Sequence, residues 1–215
     1  MAVRVKICGL KEARHVAAAV GAGVAYLGFN HIEKSPRYAN IETIRALAAD
    51  VPPGIAKIVL VMDPTDALLD ELSARVPFDM LQLHGHETPA RVAEVRARIG
   101  LPVIKAHGIR DAADMEALGP YFDVADQILV DAKSAPGALT GGNGVPFDWR
   151  LVANRRWPKP WLLAGGLTPA NVAEAIALTG ATQVDVSSGV ETAPGVKDEG
   201  LIRAFIAAAQ GRQGR

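Results

Sequence analysis

Eight short apolar runs of strand-like composition recur along the chain, at Val3–Ile7, Tyr26–Phe29, Ala56–Val61, Met80–Leu83, Pro102–Ala106, Gln127–Val130, Trp161–Leu163 and Gln183–Val186. Between them lie stretches whose apolar residues return at helical spacing, such as Ile41, Ile44, Leu47 and Ala48, or Val92, Val95 and Ile99. Thr168-Pro169, Pro64-Thr65 and Thr88-Pro89 supply the capping residues and prolines expected at helix starts. Strands alternating with helices imply βαβ units and a parallel sheet, and strands covered on both faces read as continuous apolar runs. Eight such units predict an α/β protein with a compact single-domain (β/α)8 TIM barrel over residues 1–210, and a frayed tail over 211–215. A doubly wound open sheet is the competing architecture.

Charge and composition narrow the function. The 23 basic and 23 acidic side chains cancel, which removes the basic excess a dedicated nucleic-acid binder needs. An anionic ligand must therefore be held locally. No apolar run approaches the roughly 20 residues of a membrane span, and Met1-Ala2-Val3-Arg4-Val5 enters a strand pattern with no room for a signal peptide, so a cytoplasmic protein with no membrane partner is expected. The single cysteine, Cys8, has no internal disulfide partner and must be judged by its surroundings.

A barrel carries its chemistry at the carboxyl ends of its strands. Those ends are polar here: Cys8-Gly9, Asn30-His31, Gln82-Leu83-His84-Gly85-His86, His107-Gly108, Asp131-Ala132-Lys133, Gly165-Gly166 and Ser187-Ser188-Gly189. Any one of these reads as a loop start. Their recurrence at the same end of successive strands argues for a site.

Lys6-Ile7-Cys8-Gly9-Leu10, Ser35-Pro36-Arg37, Gln82-Leu83-His84-Gly85, Gly141-Gly142-Asn143-Gly144 ahead of Phe147-Asp148-Trp149, Leu163-Ala164-Gly165-Gly166-Leu167 and Asp185-Val186-Ser187-Ser188-Gly189-Val190-Glu191 occur in that order, the last continuing into Pro194-Gly195-Val196-Lys197-Asp198. This ordered set, spanning residues 4 to 198, resembles the phosphoribosylanthranilate isomerase family. Asn143 stands where that family commonly has Thr, and Asn30-His31 where it is often apolar or aromatic. The resemblance implies an Amadori rearrangement in tryptophan biosynthesis, converting N-(5-phosphoribosyl)anthranilate to 1-(2-carboxyphenylamino)-1-deoxyribulose 5-phosphate. It implies Cys8 as general base and Asp131 as general acid, with no cofactor and no metal. Strands 1 and 6 are three places apart in an eight-stranded closure, so groups at their ends face one another across the mouth.

A thiol acting as base needs help to ionise, and Lys6 is the candidate, because residues two apart on a strand share a face. The same parity sets Asp185 beside Ser187 on strand 8, the neighbour of strand 1 after closure, so a Lys6–Asp185 pair is expected beneath the site. That pair either tunes Cys8 or merely satisfies itself in the interior. Asp131 needs the opposite adjustment, retaining its proton longer than a free Asp.

A phosphorylated small-molecule substrate with an aromatic carboxylate needs two anion sites. Gly165, Gly166, Ser187, Ser188 and Gly189, after strands 7 and 8, are placed to present backbone amides to phosphate, with Gly142 and Gly144 closing from a third side. Arg37 is expected to grip the carboxylate with its planar fork. His84 shares inward parity with Gln82 and is assigned to the pocket wall; His84-Gly85-His86 lacks the helical spacing and carboxylates of a zinc site. Trp149, Trp157 and Trp161 read as packing. The alternatives are a metal-dependent sugar-phosphate epimerase and a non-catalytic sensor on the same barrel, and the assembly is expected to be a monomer or homodimer.

Overall fold

The computed structural model describes residues 2–132 and 148–211. The chain alternates β1 (Arg4–Cys8), α1 (Ala13–Ala22), β2 (Tyr26–Asn30), α2 (Ile41–Ala49), β3 (Ala56–Val61), α3 (Asp66–Arg75), β4 (Met80–Leu83), α4 (Pro89–Ile99), β5 (Val103–Ile109) and α5 (Ala112–Glu116). It continues through β6 (Gln127–Ala132), β7 (Trp161–Leu163), α6 (Val172–Thr179), β8 (Gln183–Val186), β9 (Glu191–Ala193), β10 (Val196–Lys197) and α7 (Glu199–Ala209). Strands β1 to β8 pair in sequence order and close into a parallel barrel, β1 lying in register with β8 through Lys6 and Asp185. The (β/α)8 reading holds, and the open sheet is excluded.

Strand parity divides the core into two clusters. Inward residues Tyr26, Ile58, Met80, Ile104, Leu129 and Leu162 fill the barrel, while outward residues such as Ile7, Leu81, Leu83, Val184 and Val186 pack against the helices. Leu81 and Leu83 facing outward leave Gln82 on the inward side, as alternation requires. Trp157 stacks on Trp161 at 4.5 Å and meets the edge of Phe122, so these rings are packing.

Caps fix several crossovers. Thr65 and Thr88 accept from Leu68 N and Arg91 N, each a contact worth about 1 kcal/mol, and Pro89 occupies the first turn of α4. The expectation for Thr168-Pro169 needs correcting: that pair begins a turn, and α6 starts later, after Asn171. The Asn171 side chain accepts from Thr168 N at 2.7 Å and donates to Gly166 O at 3.0 Å, so it stitches the preceding loop.

Two boundaries also differ. β5 runs on to Ile109, which puts His107-Gly108 inside a strand, and β6 runs to Ala132, which puts Asp131 on the ladder opposite Gly108. The β9–β10 hairpin between β8 and α7 carries no apolar run and was not expected. It is the element that brings Glu191 and Lys197 to the barrel mouth.

Candidate active site

Cys8 ends β1, and Lys6 lies one alternation below it on the same face. Lys6 Nζ donates to Asp185 Oδ1 at 3.0 Å in the barrel interior, as the strand parity anticipated. Burial pulls the Lys6 ammonium down, but Asp185 and the adjacent Cys8 more than offset it, and Lys6 titrates above the usual lysine range. Cys8 goes the other way from the expectation. Burial pushes its thiol up, Lys6 and Lys197 pull it down, Asp185 pushes it up, and the balance leaves it above the ordinary thiol value. Lys6 is therefore a real but partial counterweight.

The backbone of Cys8 is tied to β8. Ser187 Oγ donates to Cys8 O at 3.2 Å, and Lys197 Nζ donates to Ser187 O at 2.9 Å and to Ser187 Oγ at 3.2 Å. The third Lys197 donor goes to Glu191 Oε1 at 2.7 Å. Lys197 is a functional candidate that belongs to one of the sequence motifs but draws no task from it; the only available signal was a lysine in a segment that had to return beside strand 8.

Arg37 arrives from the loop after β2. Asn30 organises that loop, donating to Ser35 Oγ at 3.2 Å and accepting from Ile32 N at 2.9 Å, while Ser35 Oγ accepts from Arg37 N. The guanidinium is not a solvated fork awaiting a ligand. Its Nε and Nη2 hold the two oxygens of Glu191 at 2.8 Å each, which leaves Nη1 outside the fork. Burial pushes the Glu191 carboxyl up, yet the hydrogen bonds and charges of Arg37 and Lys197 outweigh it and hold the group below the usual carboxylate range.

On the opposite wall, Gln82 Nε2 lies 2.8 Å from His84 Nδ1. With the amide donating, the imidazole carries its hydrogen on Nε2, the nitrogen 3.8 Å from Asp131 Oδ2. Burial and the nearby Lys6 and Lys105 push His84 down to about 3, so it faces Asp131 as a neutral ring. The loop bearing His84 is clamped from behind. Lys105 Nζ meets Glu87 Oε2 at 2.6 Å and Gly85 O at 2.7 Å, and Glu87 also accepts from Asp63 N and Gly85 N. Lys105 stands in a run of buried apolar residues, and such a cation must find a partner, which was the legible sign of this clamp.

Cys8, Arg37, His84, Asp131, Asp185 and Ser187 line one open-topped cavity at the carboxyl ends of the strands. Five strands or their loops thus deliver the expected residues to one place. A broader, shallow groove beside Arg96 and Asp126 lies at the amino ends of β5 and β6, away from these groups.

Gly165, Gly166, Ser188 and Gly189 form the loops after β7 and β8, beside this cavity and not in its lining. Gly165 and Gly166 adopt successive left-handed conformations, φ +86° and +66°, which favour glycine. A Cβ on Gly189 would sit 1.9 Å from Leu167 O, so the two loops press together at a point that only glycine fits. Gly142 and Gly144 lie outside the described residues. Among those described, no group of three or more His, Cys, Asp or Glu gathers to hold a metal, and no helix is long and apolar enough to cross a membrane.

Comparison with known proteins gives the arrangement a family. The model of N-(5'-phosphoribosyl)anthranilate isomerase matches residues 5–208. A protein of that name from Paracoccus denitrificans (strain Pd 1222) is 61% identical over 210 residues, covering 97% of this chain and 98% of its own. The crystal structure of phosphoribosyl anthranilate isomerase from Thermotoga maritima superposes with a TM-score of 0.87 at 35% identity, over 97% of this chain and 99% of that one. A further isomerase crystal structure, in complex with reduced 1-(o-carboxyphenylamino)-1-deoxyribulose 5-phosphate, superposes with a TM-score of 0.83 at 33% identity, over 97% and 99% of the two chains. Matched by the family model over residues 5–208 and by relatives over nearly the whole chain, the chain belongs to the N-(5'-phosphoribosyl)anthranilate isomerase family.

Proposed function

We propose that this chain converts N-(5-phosphoribosyl)anthranilate to 1-(2-carboxyphenylamino)-1-deoxyribulose 5-phosphate in tryptophan biosynthesis, with Asp131 as general acid and Cys8 as general base. The observation that carries the reading is that a thiol on β1 and a carboxyl on β6 line one cavity from opposing strands. Asp131 protonates the ring oxygen, the bond from that oxygen to the anomeric carbon breaks, and the amine lone pair forms the Schiff base. The Cys8 thiolate then takes the proton from the adjacent sugar carbon, and the electron pair moves into the enolamine, which tautomerises to the ketone. Oxidation of one carbon balances reduction of its neighbour, so the chemistry calls for no external oxidant or cofactor.

The surrounding groups take consistent roles. Arg37, steadied by Glu191, offers Nη1 to the anthranilate carboxylate; the loops of Gly165, Gly166, Ser188 and Gly189 receive the phosphate through backbone amides. His84, neutral and aimed by Gln82, orients the Asp131 carboxyl without a cation's pull on its proton. Asp185 holds Lys6 beneath the thiol. The setting is the cytoplasm, and the assembly a monomer or a homodimer.

The test is loss of anthranilate-type fluorescence on adding chelator-treated protein to freshly generated substrate, with Cys8→Ala and Asp131→Asn as controls. Rapid loss abolished by each substitution is expected. Activity that survives Cys8→Ala removes the thiol from the mechanism, and activity lost on chelation points to a metal-dependent epimerase instead.

A further inference from the structure

The charges around the cavity cancel in pairs until Lys197 is reached. Lys6 is matched by Asp185, and Arg37 by Glu191, through the contacts described above. Glu191 is then shared a second time, by Lys197, whose side chain is almost wholly buried. The groups around Cys8 are Lys6 from β1, Asp185 from β8 and Lys197 from β10, with Arg37 from the loop after β2 and His84 and Asp131 lining the same cavity, and Glu191 of β9 held on Arg37. Arg37 and Lys197 share the single Glu191 carboxylate, so this triad carries one surplus positive charge.

Its protonation state follows from its contacts. Ser187 Oγ spends its hydrogen on Cys8 O, so it accepts from Lys197 Nζ, as do Ser187 O and the Glu191 carboxylate. Three acceptors require three N–H donors, and only the ammonium has them. Burial pulls this lysine below its usual range, and Glu191 acts to keep it charged.

We propose that Lys197 is a positioning residue that restores to the site the positive charge Arg37 loses to Glu191. That single charge serves the substrate's aromatic carboxylate on binding and the Cys8 thiolate during proton abstraction. The substrate half rests on the function proposed above. The thiolate half does not, since it is read on the protein alone.

The test separates charge from scaffolding. Lys197→Met is expected to move the thiolate ultraviolet absorbance of Cys8, the sole cysteine, to higher pH and to raise KM roughly 10- to 100-fold, with a fall in kcat. Lys197→Arg, which keeps the charge, is expected to retain most of both. Lys197→Arg no better than Lys197→Met, or Lys197→Met with unchanged thiol titration and unchanged KM, overturns the proposal. Parent protein without isomerase activity refutes the functional reading instead, and the thiol titration still judges Lys197.

Discussion

Replacing Lys6 by Met strands the Asp185 carboxylate in the barrel interior, and the structure sets the size of the loss. The two groups lie 3.0 Å apart, with side chains 0% and 9% exposed, so water does not take over from the missing ammonium. Breaking a buried pair from one side costs about 3–5 kcal/mol, because an uncompensated charge remains. For a chain of this length that is a fall in melting temperature of roughly 6–20 °C, and with a urea slope of about 2–3 kcal/mol/M the midpoint drops by roughly 1–2.5 M. Urea titration followed by tryptophan fluorescence reads it directly. Two further outcomes belong to the same argument. Lys6→Met/Asp185→Leu, which removes both charges and fills similar volume, recovers most of the loss. The deficit of the single variant also narrows at acid pH, where the stranded carboxylate takes up a proton. A loss under about 1 kcal/mol, or a double variant no better than the single, refutes the reasoning, since either means the interior solvates Asp185 without Lys6.

Four other outcomes follow from the site. The base must be ionised while Asp131 keeps its proton, so between the two titrations each gain in thiolate is offset by a loss of acid, and kcat/KM is expected to stay level with pH and to fall only beyond the ordinary thiol range, where the raised Cys8 thiol titrates; a fall that sets in at or below the ordinary thiol value refutes the assignment. His84 is pushed down to about 3 while an unfolded histidine titrates near 6.5, so the unfolded chain binds the extra proton between those values and stability falls as the solution is acidified through that window, by about 1.4 kcal/mol for each pH unit crossed. His84→Gln is expected to flatten that part of the stability curve, and proton NMR should find the ring neutral down to about pH 4. Gly189→Ala forces a methyl against Leu167 O and is expected to cost about 1–3 kcal/mol in denaturant titration while raising KM for the phosphorylated substrate; a silent substitution removes the close approach as a constraint. Arg37→Lys keeps the charge but loses the planar grip on Glu191, and a KM raised about tenfold or more is expected, whereas unchanged kinetics detach Arg37 from binding.

Much of the barrel was legible because alternation is a local property. Lys6 and Cys8 had to share a face, Leu81 and Leu83 had to face the helices, and Asp185 had to come level with Lys6 once β1 met β8. Threonine caps before α3 and α4 depend on contacts three residues apart and were readable for the same reason. The cap of α6 was not. Thr168-Pro169 has the right composition, but Asn171 is committed to the loop behind it, and the helix starts where that loop ends.

The sequence by itself determined the eight alternating units, the inward polar residues at the strand ends and their family pattern. Tertiary structure alone decided how the charges are shared. Arg37 and Glu191 are 154 residues apart, and Lys197 sits on a two-residue strand with no apolar signature. A guanidinium read along the chain looks available, because nothing local names its partner. Closing the barrel and folding β9 against β10 brings one carboxylate between two cations, and a buried charge takes whichever counter-charge the fold leaves within reach.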